Sequence, residues 1–232
     1  MQPIPWSDLW PPAADALFVP RLVTGAVAVF VLGSWFGRLA VRPLAAKFVA
    51  GVWMAAATAG LVARLGVSIA ETALLPRSPG LSVVLAVGLG CLAIPLIVAA
   101  ARLPEMRQFY PELWPALAAD VSPGSPWRRV ALVAAAWLVY LIGYEALFRG
   151  LLLPLLIGPL GVWPGMAVTT GLYVLAHLDR PSAESLAAIP TGFVFAAVTL
   201  ATGSFLAAVL LHWIIATSNE LVAARRAALT RG

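Results

Sequence analysis

The chain has 232 residues, 62% of them apolar and only 11% charged, with a mean hydropathy of +0.94. A soluble domain carries about 25% charged residues, so the composition excludes an ordinary water-soluble fold and implies a membrane-embedded one. The formal net charge of +5 does not point to nucleic acid, because the basic residues are scattered at the ends of apolar runs instead of clustering on one polar face.

In chain order, the N-terminal stretch MQPIPWSDLWPPAADALFVP lacks the basic n-region of a signal peptide. Its Trp6 and Trp10, set among prolines, read as an interfacial lead-in, since indole rings prefer the headgroup level. A spanning helix needs about 20 mostly apolar residues, and about seven stretches satisfy this, at roughly 20–38, 46–68, 81–101, 130–157, 162–178, 184–202 and 204–224. The third holds Cys91, the single cysteine, which excludes an intramolecular disulfide and reads as a small core or lipid-facing residue. The sequences RSPG and SPGSPW mark breaks by turn chemistry. The longest polar connection runs from Arg102 to Arg129, and Pro111–Asp120 within it has the pattern of a short amphipathic surface helix. The fourth stretch is too long for one simple span, which suggests a start along the interface. No internal repeat or low-complexity tract is visible.

The expected fold is therefore all-α, a polytopic transmembrane helical bundle of about seven spans. It is read as a single membrane domain over 1–232, with N-terminal spans and an interfacial segment over 1–128 and a motif-bearing core over 129–224. Lysine and arginine placement sets the orientation. Arg38, Arg42, Lys47, Arg102, Arg107, Arg128, Arg129, Arg180, Arg225, Arg226 and Arg231 fall on one side, against Arg21 and Arg77 on the other. This predicts an outside N-terminus and a cytoplasmic C-terminus, and the Ala-, Leu-, Val- and Arg-rich composition suggests a bacterial inner membrane.

Four ionisable residues lie deep in the expected spans: Glu145, Arg149, His177 and His212, the last two being the only histidines. Charges at mid-bilayer are costly, and such residues mark sites more often than lipid-facing surface. At about 1.5 Å of rise per residue, Glu145 lies about 18 Å, His177 about 20 Å and His212 about 12 Å from the outer face, close enough to share one layer. Glu145 and Arg149 are at i and i+4 with the acid first, the favourable order for an intrahelical pair, so simple mutual neutralisation is one reading. A shared site is the other. Two histidines and a carboxylate are able to bind zinc, or to position and activate water with glutamate as base and the histidines stabilising an oxyanion. No HExxH is present, and the residues alone leave metal and metal-free chemistry both open. A proton relay or transporter built on the same cluster would be expected to show a structural repeat.

The pattern resembles the CPBP family of membrane proteases, which includes CAAX prenyl endopeptidases and bacteriocin-processing, Abi-like proteins. Its first motif, EExxxR, reads YEALFRG here and supplies Glu145 and Arg149. Its second, FxxxH, reads YVLAH and supplies Tyr173 and His177. Its third, HxxxN or HxxxD, reads HWIIA and supplies His212. The resemblance covers roughly residues 130 to 220. It implies a glutamic-type or metal-dependent intramembrane endopeptidase, a hydrolase acting on a hydrophobic or membrane-tethered peptide. Glu145 would be the acid/base candidate, His177 and His212 would hold the water or oxyanion, and Arg149 would orient Glu145. No cofactor is expected, although the pattern would accommodate zinc through His177 and His212.

Two positions depart from the family. Tyr144 stands where the expected general-base glutamate would be, and a tyrosine with an ordinary pKa of about 10 is a poor base at neutral pH. Ala216 replaces the third motif's Asn or Asp. Asn219, seven residues after His212 and on the same helical face, lies a full turn beyond the family's position and would need a local bulge to substitute, and Tyr144, Tyr173 and Asn219 are the substrate-contacting candidates. For Glu145 to take over as base, adjacent helical positions differing by about 100° would need a helix rotation or π-bulge. The alternative is a catalytically inactive member serving as a membrane scaffold, assembly or partner-binding protein, with lipid, peptide or a membrane protein as its partner.

Overall fold

Where lipid replaces water, each backbone N–H and C=O must be satisfied within its own segment, so apolar stretches of this length become helices. The computed structural model describes residues 17–39, 43–106 and 126–229, and among them it contains eight α-helices and no strand. They are α1 (Phe18–Leu39), α2 (Pro43–Leu65), α3 (Pro79–Ala100), α4 (Pro126–Glu145), α5 (Leu153–Leu160), α6 (Val162–Leu175), α7 (Ser182–Thr202) and α8 (Leu206–Leu229). Among the described residues, five stretches are long and apolar enough to cross a membrane, and Val162–Leu175 and Leu206–Val222 are shorter apolar helices. The protein is an all-α, membrane-embedded helical bundle with each of its seven apolar stretches within a few residues of the position read from hydropathy. The lead-in with Trp6 and Trp10, the Pro111–Asp120 segment, and Arg42, Arg107 and Arg231 lie outside the described residues. Cys91 is exposed on α3.

The fourth stretch is not one regular helix. Trp127–Leu160 runs continuously, but Ala146–Leu152 between α4 and α5 is a π-helical turn, closed by the Leu153 N–H donating to the Phe148 carbonyl five residues back. Pro154 gives the physical reason. In an unbroken α-helix its N–H would satisfy the Gly150 carbonyl, but proline has no N–H to donate. That carbonyl instead accepts from the Ala73 N–H at 2.8 Å. Ala73 belongs to the connection between α2 and α3, and its own carbonyl accepts from the Phe205 N–H at 2.8 Å. Thr72 and Ala73 are fully buried, so this irregular backbone lies inside protein, where it is tolerated. One short loop thus ties the π turn to the start of α8.

Small residues permit the close crossings. A Cβ on Gly143 would lie 2.1 Å from the Gly51 carbonyl oxygen, and one on Gly51 would lie 2.4 Å from that of Val139. The backbones of α2 and α4 are therefore in contact, as small residues allow in membrane bundles. On the other side α3 packs along α8. The large side chains of the core, among them Leu147, Leu151, Leu152 and Leu156, come from the π turn and α5.

Candidate functional site

Glu145 ends α4 and begins the π turn. Wider winding there shifts the angular positions of Glu145 and Arg149 relative to an ordinary helix. Both side chains are completely buried. Oε2 of Glu145 is ion-paired with Nη1 of Arg149 at 3.2 Å. Its Oε1 accepts a hydrogen bond from Nδ1 of His212 at 2.6 Å. The guanidinium is further enclosed by rings, with its central carbon 4.5 Å from the Tyr173 ring centre and 5.4 Å from that of Phe195, and Nη2 reaches the Gly192 carbonyl at 3.5 Å. A buried acid is tolerable because a cation and a ring N–H share its charge, and the aromatic faces help to hold the cation.

His212 lies on α8 and His177 just beyond the C-terminus of α6. Their rings are 6.5 Å apart and inclined by 28°. Nδ1 of His177 donates to the Tyr173 carbonyl at 2.8 Å, a bond that only a protonated nitrogen makes to a carbonyl. Nδ1 of His212 must likewise carry a proton to meet an ionised carboxylate. In the neutral form both imidazoles therefore hold their lone pair on Nε2.

Both histidines line a cavity of about 430 Å³. Of the other residues singled out from sequence, Tyr144, Tyr173 and Asn219 also line it, as does Ala216. Glu145 and Arg149 do not. They form a layer behind His212, with both carboxylate oxygens engaged. The Tyr144 ring is fixed among Phe148 at 4.6 Å, Tyr140 and Phe30 at 5.8 and 5.9 Å, and His212 at 5.9 Å. Its buried hydroxyl has no hydrogen-bond partner among the described residues. The seven candidate residues are thus near one another, arranged as a sealed charged layer and a cavity wall.

The donor set does not fit a resident zinc ion. Among the described residues no three His, Cys, Asp or Glu side chains cluster in a way that could hold a metal, and the two Nδ1 atoms are already committed. Two Nε2 atoms are fewer than the three protein ligands of a catalytic zinc site.

Sequence reading missed a second polar group on the same cavity. Glu220, only 3% exposed, lines it together with Trp137. Nε1 of Trp137 donates to Oε1 of Glu220 at 3.1 Å. Nζ of Lys47 sits 3.3 Å from the centre of the same indole. Glu220 and Lys47 fall near the ends of their apolar stretches, where charge reads as interface. The spacing of Glu220 eight residues after His212, on the same helical face, is the signal that could have found it.

The fold and site together describe a polytopic helical membrane protein with a histidine-lined intramembrane cavity backed by a buried Glu/Arg pair. Residues 126–218 match the family described as Rce1-like, type II CAAX prenyl endopeptidase Rce1-like. The match runs from α4 into α8 and covers 93 of the 232 residues. Helices α1 to α3 lie outside the match. No curated protein and no solved structure matches the chain.

Proposed function

We propose that this protein is an intramembrane endopeptidase of the Rce1-like kind in which His212, not Glu145, meets the water. The observation that carries the reading is the 2.6 Å bond from Nδ1 of His212 to Glu145, made by a carboxylate that does not line the cavity but backs an imidazole that does. A carboxylate in that place fixes the tautomer and stabilises the imidazolium that forms, as the acid of a catalytic triad does. Nε2 of His212 removes a proton from water as the water oxygen bonds to the scissile carbonyl carbon. The resulting oxyanion is stabilised by hydrogen-bond donors, for which the Tyr144 hydroxyl is the candidate. The C–N bond then breaks, and the imidazolium returns its proton to the leaving amine. Arg149 acts through Glu145 by holding its charge and direction. The substrate is a hydrophobic or membrane-tethered peptide, matched to the mostly apolar wall that Ile97, Phe195 and Ile215 contribute. The cavity is also bordered by Arg180 and by the end of α3, the side of the bundle that the basic residues assign to the cytoplasm.

A second reading rests on Tyr144 and Ala216, both on the cavity wall. With these in place of an acid and an amide, the cavity is a binding site that captures a peptide or partner helix without cutting it. Purified protein in lipid nanodiscs, incubated with a pool of membrane peptides and followed by mass spectrometry, separates the two. Cleavage that disappears in His212→Ala supports hydrolysis. No cleavage in the native protein, with cleavage gained on Tyr144→Glu, establishes the binding reading. His212 as base also predicts that Glu145→Gln lowers kcat by about 10²-fold or more while leaving KM nearly unchanged.

A further inference from the structure

We infer that the cavity contains a subsite for a cationic group, a primary ammonium or guanidinium on an otherwise apolar ligand, with Glu220 as its counter-ion. Glu220 is 97% buried by its 3% exposure and lines the cavity. Its Oε1 is held by the Trp137 indole N–H at 3.1 Å, while its buried Oε2 has no hydrogen-bond partner among the described residues. A buried carboxylate oxygen without a donor is expensive. Glu145, the other buried acid among the described residues, shows a paired arrangement, with a cation at ion-pair distance from one oxygen and a ring N–H on the other. Glu220 has the ring N–H and lacks a cation in direct contact. The nearest ammonium, that of Lys47, is directed to the indole face at 3.3 Å and to Tyr140 at 5.5 Å. It is not among the cavity-lining residues, and neither it nor the cavity-lining Arg180 is in ion-pair contact with Glu220 among the described residues, although the charge of both acts on the carboxylate from further away. The cavity that Glu220 lines is the open space from which a ligand donor can approach it.

The register follows from the helix. His212, Ala216 and Glu220 recur at four-residue intervals on one face of α8, and all three line the cavity. Eight residues at about 1.5 Å each place Glu220 about 12 Å along the helix from His212. An extended peptide covers that distance in about three to four residues. Where His212 meets the scissile carbonyl, a lysine or arginine three or four positions away reaches Glu220. The subsite does not depend on hydrolysis; only this register rests on the proposed function.

The test uses the full-length protein in nanodiscs and a set of fluorescent peptides of alanine and leucine. A single lysine is moved along the peptide, and each peptide has a norleucine counterpart. At least one lysine peptide is expected to bind about tenfold more tightly than its counterpart. Glu220→Gln, which keeps an acceptor for the Trp137 N–H, is expected to abolish that preference while leaving norleucine affinity unchanged, and Glu220→Asp to retain part of it. Equal binding of every pair by the native protein overturns the subsite, as does a preference that survives Glu220→Gln or a failure to bind any of the peptides. Lysine preference without cleavage would leave the subsite standing and defeat hydrolysis. Cleavage without lysine preference would do the reverse.

Discussion

Helix α3 and the Trp127–Leu160 stretch are both apolar spans, yet they end in opposite surroundings. The first is the more apolar, and only 11% of it is buried inside the protein; for the second the share is 50%. On α3 the buried residues are small, Ser82, Ala86 and Gly90 at four-residue spacing, and they form the face that meets α8. A large residue such as Leu92, 70% exposed, points away from it. Along Trp127–Leu160 the pattern inverts, with leucines, Tyr144, Phe148 and the Glu145–Arg149 pair all inside. Lipid tails are as apolar as leucine, so hydropathy decides that a segment enters the membrane but not which face meets protein. Shape decides that on α3. Paired charge, rings and close packing decide it on α4 and α5.

The largest effect of any single change comes from dividing the buried pair. Arg149→Leu leaves the Glu145 carboxylate with only His212, and is expected to lower stability by about 3–5 kcal/mol, read as denaturant or thermal unfolding in detergent. Replacing both residues by leucine should recover part of the loss, because no uncompensated charge remains. An unfolding midpoint unchanged by Arg149→Leu alone would mean that the pair is not the anchor of this region.

A chemically matched comparison is sharper. Leu151, fully buried within the π turn, should lose about 2–5 kcal/mol when changed to alanine, as cavity-forming core substitutions do. Leu92→Ala on α3 faces outward and should remain within about 0.5 kcal/mol of the native protein. The same three-carbon deletion in two spans then gives a ratio that hydropathy alone does not predict. Equal losses at both positions would place α3 inside a packed interface and undo the contrast.

The spans were readable from sequence because length and apolarity are what the membrane demands of them. The meeting of Glu145, His177 and His212 was readable from their depth, since three polar groups that far from water need one another. The π turn was not, although Pro154 made it possible, because a missing N–H says that Gly150 needs another donor without saying which. Ala73 supplies it from a loop that reads as an ordinary connection. The division of labour in the site was also hidden. Sequence places Glu145 and His212 at the same level, but only the side-chain geometry puts the carboxylate behind the imidazole. Glu220 was overlooked for a related reason, as an acid near the end of an apolar run looks like one returning to water.

The smallest effect concerns how α3 is held at its C-terminal end. Its lipid-facing character leaves it attached by the small-residue face and by Glu105, just past the helix. Ser182 Oγ and the Ala183 N–H, at the start of α7, both donate to the Glu105 carboxylate. The Ser182 hydroxyl first and the Ala183 N–H second hold this carboxyl below its usual range. A depressed carboxyl contributes its stabilisation above the ordinary carboxylate pKa and loses it as pH falls through the lowered one. The protection of the Ala183 amide against hydrogen exchange should therefore be flat above the ordinary glutamate value of about 4.3 and decline only below it. Glu105→Gln should show weak protection at every pH, because the neutral amide accepts less strongly than the carboxylate. Because Met106 and Ala183 line the cavity, loosening this contact should reach the cavity wall before it reaches Glu145. A fall in Ala183 protection at higher pH, or one that Glu105→Gln does not reproduce, would show that another group holds the end of α3 against the core.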